Sequence, residues 1–172
     1  MKAAAVILAL AGALALQTTV AGFSIGGATP VNLVLVAVVY VALAFGPVSG
    51  LLAGSVAGLV QDALAGGILG IGGLSKTIVG FVVGVLGAQF IVSQPVPRMV
   101  MFVGATVVHE LCFQSLYALV EARTFSLRWM PLLMQALLNA LVGVIAFTLV
   151  ESGPGLLQRR EARRDTIGRR RY

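Results

Sequence analysis

The sequence predicts an all-α bundle of helices crossing a membrane, and three observations predict it. Of the 172 residues, 59% are hydrophobic and 10% charged, where a soluble domain carries about 25% charged. Mean hydropathy is +1.01, and no soluble core of this size hides so much apolar surface, so the solvent is lipid. The apolar residues fall in six runs, judged against roughly 20 residues for a 30 Å hydrocarbon core. From Gly46 every fourth residue is glycine until the series ends on an acid: Gly46, Gly50, Gly54, Gly58, Asp62. In lipid, glycines near one helix face let another helix approach closely.

The first run, Ala3 to Val20, follows Lys2 and looks like a signal peptide. Gln17-Thr18-Thr19 offers no clear cleavage site, so the run is read as an uncleaved helix. The second, Val31 to Phe45, and the third, Val48 to Leu64, are short and split by Gly46-Pro47, where proline disfavours a continuing helix. Two full spans are expected; a tight hairpin that stops short of crossing is the alternative. The fourth run, Leu69 to Val92, follows a glycine-rich stretch and carries Lys76. The fifth, Met99 to Val120, carries His109, Glu110 and the single cysteine, Cys112, read as a small buried hydrophobe. The sixth, Met130 to Glu151, carries Gln135 and Asn139 one turn apart, with Trp129 as an interfacial anchor. Residues 1–154 thus form one membrane domain and residues 155–172 a basic tail.

Seven of the 12 basic residues lie in that tail: Arg159, Arg160, Arg163, Arg164, Arg169, Arg170 and Arg171. Positive residues favour the cytoplasmic side, which places the C-terminus inside. Six crossings then put the N-terminus inside too, in keeping with Lys2 and Arg98, while Arg123 and Arg128 oppose and are outweighed. The net charge of +6 is therefore a tail on a neutral membrane body, with no nucleic-acid partner. The tail is read as disordered or a short interfacial helix. It contacts anionic lipid, at about 1 kcal/mol per basic residue near the surface, or docks a protein.

No phosphate-binding loop, nucleophile elbow or metal-spaced His/Cys cluster is present, so no enzyme, cofactor or metal is expected. The polar residues inside the runs are the candidates, since an intramembrane ionisable group is costly. Asp62 and Lys76 are expected to neutralise each other across an outer turn as a structural pair, and service to a partner or solute is the alternative. His109 and Glu110 are expected to hydrogen-bond between helices, with Gln135 or Asn139; a proton or solute pathway would usually show more acids. The glycine ladder is expected to pack inside the bundle. Four steps of four residues drift about 160° around a helix of 3.6 residues per turn, a spiral suited to several neighbours.

The stretch Thr29 to Gly84 resembles the rod shape-determining MreD family. That pattern has a Pro-Asp-Leu-like start, a Gly-x-x-x-Gly series after a tight turn, Gly-Leu-x-x-Asp and a Leu-Gly step. Here these fall on Pro30 and Leu33, on Gly46, Gly50 and Gly54, on Gly58-Leu59 with Asp62, and on Leu69-Gly70. Val31 and Asn32 stand where the pattern has its acid. The resemblance implies a non-enzymatic subunit of the bacterial elongation machinery (the elongasome) in the cytoplasmic membrane, maintaining cell shape and lateral peptidoglycan synthesis. It implies association with an MreC-like bitopic protein and, through it, with the wall-synthesis complex. A homodimer stays open. The family is also similar to the S-components of energy-coupling-factor transporters, which supplies the alternative: a small-solute-binding transporter subunit. Ala5, Ala9 and Ala13 resemble the face such subunits present to a partner, in a helix that is alanine-rich throughout. Neighbouring genes for shape determination or for transporter ATPases separate the two.

Overall fold

The structure, a computed structural model, describes residues 2–20, 30–90, 92, 94–122, 124–125 and 127–168, with the side chains of all of these except 2, 3, 20 and 152–168. Six α-helices organise it: α1 Lys2–Val20, α2 Leu33–Phe45, α3 Pro47–Ala65, α4 Ile71–Gln89, α5 Pro95–Glu121 and α6 Trp129–Gly168. Four are long and apolar enough to cross a membrane: α3, α4, α5 and α6 over Trp129–Glu151. The apolar helices Ala4–Thr19 and α2 are shorter. The fold is thus an all-α bundle with several helices of membrane-crossing length.

The shortest helix is the hub. α2 has 13 residues, of which Val34, Leu35, Val36, Val38, Val39, Val41 and Ala42 are buried. A helix apolar all round belongs in an interior, and α2 touches each of the other five. One core cluster joins Leu35 and Val39 of α2 to Val79 and Val83 of α4, Phe102 of α5, and Ala140 and Phe147 of α6. A second sets Val34, Val38 and Val41 against Ala53 and Ala57 of α3, and Val6, Leu10 and Leu14 of α1 pack on it. Those three residues are four apart, one face of α1; Ile7, Leu8 and Leu16 point away from the bundle.

The largest departure from the sequence reading is at α6, which continues past Glu151 to Gly168 as one helix; three other boundaries differ, each for a local reason. α2 begins at Leu33 because the Asn32 side chain accepts the Leu35 amide at 3.0 Å, an N-cap. α5 begins at Pro95, four residues early, because proline is tolerated in a first turn where its missing N–H has no helical partner. α4 ends at Gln89, where Phe90 turns extended. Between α2 and α3 there is only Gly46, at φ +89°, in a conformation side-chain-bearing residues avoid. Pro47 then opens α3.

Candidate functional site

The glycine ladder lies against α4. A methyl group placed on Gly54 would run into the Lys76 backbone, and one on Gly58 would come within 2.6 Å of Gly73 Cα. At Gly50 it would strike Gly80 O, with Ala42 Cβ of α2 at 2.6 Å. The contact is reciprocal: Gly80 backs onto Gly50, and Gly84 onto Gly46-Pro47. The two backbones touch along a seam with almost no side chain between them. The ladder packs inside the bundle, along α4 for its whole length and against α2 as well at Gly50. Rows of every fourth residue run obliquely to a helix axis, and a neighbour crossing along that row stays in contact.

Asp62 is the next rung after Gly58. It is 8% exposed, and its Oδ2 accepts the amides of Gly70 at 2.9 Å and Gly73 at 3.1 Å. Gly70 is the N-cap of α4 and has no side chain to cap with. The first N–H groups of a helix have no internal acceptor, so α3 supplies one to α4. The carboxylate also meets the positive end of the α4 dipole. Gly72 is close enough to Asp62 Oδ1 that a methyl there would overlap it.

The expected pairing of Asp62 with Lys76 is therefore corrected. Asp62 and Lys76 make no ion pair within 4 Å. Lys76, 2% exposed, has its backbone against Gly54 and places Nζ 3.2 Å from His109 Nε2 on α5. With Lys76 as an ammonium, which only donates, Nε2 is the acceptor and the ring proton is assigned to Nδ1, which is buried without a hydrogen-bond partner. His109, Phe113 and Tyr117 stack in sequence along α5, with ring centroids 5.8 and 5.0 Å apart. The row ends where Tyr117 Oη accepts the Ile68 amide at 3.4 Å, just ahead of α4.

Glu110 and Asn139 also take partners other than those expected. Glu110 accepts from Gln114 Nε2 at 2.7 Å, within its own helix. Asn139 Oδ1 accepts the Asn32 amide at 2.9 Å, and its Nδ2 donates to Thr106 Oγ1 at 3.1 Å. Gln135 is half-buried on α6. From the other side Gln17 of α1 donates to Val31 O at 3.1 Å and accepts the Leu33 amide at 2.6 Å. The polar backbone at the start of α2 is thereby satisfied from two other helices, α1 and α6, and by Asn32 itself, as it must be where water is scarce.

At the opposite end, Arg98 of α5 makes a two-pronged pair with Glu151 of α6, at 2.8 and 2.6 Å. Its Nε donates to Val92 O at 3.0 Å, and the guanidinium lies 4.3 Å from the Phe147 ring centroid. Arg98 is buried and Glu151 half exposed. The tail arginines lie outside the described side chains.

These polar groups join helix to helix. No group of three or more His, Cys, Asp or Glu side chains is arranged to hold a metal among the described residues. A family model described as rod shape-determining protein MreD matches residues 3–152. The chain belongs to the MreD family. The match takes in all six apolar helices and the seam, and within this MreD-family chain it stops one residue past Glu151. No curated protein and no solved structure matched the chain.

Sequence reasoning passed over Gln17, Asn32, Thr106 and the Arg98–Glu151 pair in this MreD-family bundle. Gln17 had the clearest signal, a long polar side chain closing an apolar helix. Glu151, the last residue of its run, had none that named Arg98.

Proposed function

We propose that the chain works as a non-enzymatic, multi-pass subunit of the elongation machinery in the bacterial cytoplasmic membrane. The observation that carries this reading is the family match over residues 3–152 of 172. The disposition of the buried polar groups supports it: Asp62, Asn139 and Arg98 each tie one helix to another, as expected of a scaffold. The proposal includes six crossings with both termini in the cytoplasm. It also includes association with an MreC-like bitopic protein, through it with the wall-synthesis complex, and anionic-lipid contact by the tail. The solute-binding alternative has no support beyond the sequence likeness and is set aside.

Depletion in a rod-shaped host is the test. Rounded or swollen cells are expected, with loss of the chain from complexes retrieved through the bitopic partner. Unchanged shape sinks the reading. A cytoplasm-only reporter fused after Tyr172 is expected to be active, and one placed between Gly22 and Pro30 silent.

A further inference from the structure

A furrow of about 220 Å³ runs between α4 and α5, backed by the core residues Val79, Val83 and Ala105. Its walls include Val79, Val83 and Leu86 of α4 and Val100, Gly104 and Val108 of α5. Val100 is 64% exposed and Val108 36%, so the furrow opens outward. On its floor Gly104 is bare: a methyl there would meet nothing within 4 Å.

The furrow has a definite position in depth. Val100 stands two residues beyond Arg98, whose pairing with Glu151 ties the start of α5 to the end of the apolar part of α6. Val108 stands beside His109, and Val79 one turn beyond Lys76, so the furrow stops below that polar pair. Val100 to Val108 spans eight residues, about 12 Å at 1.5 Å each. Half of a 30 Å hydrocarbon core is about 15 Å. The furrow is therefore about one leaflet deep, and it belongs to the leaflet at the tail-bearing end.

We propose that this furrow seats one acyl chain of an anionic phospholipid from that leaflet. The lining is apolar throughout, as an acyl chain requires. Charge identifies the headgroup. The chain leaves Glu151 at this same end and carries seven arginines after Pro154 against Glu161 and Asp165, and basic segments beside a membrane attract anionic headgroups. The inference deepens the lipid contact proposed for the tail and rests on that end meeting a membrane surface.

Native mass spectrometry of the full chain tests it, after exchange in detergent with equimolar phosphatidylglycerol and phosphatidylethanolamine. The wild type is expected to retain one phosphatidylglycerol. Gly104→Leu places an apolar side chain at the furrow, starting from a Cβ that meets nothing within 4 Å, and is expected to lower that occupancy at least fivefold. Gly12→Leu, on an equally open site of α1, is expected to leave it unchanged. Replacing Arg159, Arg160, Arg163 and Arg164 by glutamine is expected to abolish the preference for phosphatidylglycerol while one lipid stays bound. Val108→Phe repeats the furrow test should Gly104→Leu unfold early. Undiminished lipid on both furrow variants overturns the proposal, as does a wild type without headgroup preference. So does a change in the monomer–dimer ratio in place of lipid loss, which would make the furrow a seam for a second copy. None of these readouts is cell shape, so the lipid site and the shape-maintenance reading fail separately.

Discussion

Asp62 on α3 closes the first turn of α4, its Oδ2 lying 3.1 Å from the Gly73 amide and 2.9 Å from that of Gly70. An acid at the end of a glycine ladder thus has a structural occupation. It caps the helix that the ladder holds against its own.

Removing that cap has a defined signature. Asp62→Ala leaves two amides without their acceptor and is expected to cost about 1–3 kcal/mol. Asp62→Asn keeps an acceptor oxygen and is expected to cost less than half as much. Because Lys76 is bound elsewhere, adding Lys76→Ala to Asp62→Ala is not expected to restore stability. Thermal unfolding of the purified variants in detergent reads all three, and recovery in the double variant would reinstate a direct Asp62–Lys76 pair.

Lys76 depends on His109. His109→Ala strands a buried ammonium, at a cost of more than about 1–3 kcal/mol because the group is charged. Lys76→Met combined with His109→Phe removes both polar partners together and is expected to be milder than His109→Ala alone. Membrane abundance of the variants decides; equal loss in both would mean that Lys76 has another partner.

The seam makes a sharp distinction among glycines. Gly54→Ala forces the Lys76 backbone away and is expected to destabilise by about 1–3 kcal/mol, the usual cost of overpacking. Gly12→Ala meets open space and is expected to stabilise by about 0.5–1 kcal/mol through helix propensity. Opposite signs in the unfolding midpoint are the outcome to look for.

The Arg98–Glu151 pair is asymmetric. Glu151→Ala leaves a buried guanidinium with Val92 O as its remaining hydrogen-bond acceptor, and about 1–3 kcal/mol is expected to be lost. Arg98→Met leaves a carboxylate that is 54% exposed and free to hydrate. The smaller loss is expected there, and a larger one in unfolding measurements would contradict the burial argument.

Much of this bundle was legible in the chain. The apolar runs located the six helices to within a few residues, except the end of α6, which runs on through a polar stretch to Gly168, and Gly46-Pro47 marked the turn between α2 and α3. Glycine spacing singled out the row of α3 that meets α4. Partners were the illegible part. Lys76 and Asp62 looked like a pair because they are near in sequence and opposite in charge, yet the acceptor Asp62 offers is used by backbone amides, which carry no letter of their own. Gly70 read as the second residue of the fourth run, but it stands ahead of α4 and caps it at φ +101°. The link from Asn32 to Asn139 spans 107 positions, and no local pattern encodes so distant a match.

That link has a consequence for how the protein is made. Ribosomes deliver α2 into the membrane long before α6, so the Asn32 amide lacks its acceptor until Asn139 arrives. Gln17 is already present and can engage Val31 and Leu33 at once. Chain order thus allows α1 to hold the entrance of α2 before the last helix locks it. A chain cut short before Asn139 would carry an unfinished polar spot in its apolar centre, a mark by which membrane quality control can tell an incomplete copy from a finished one.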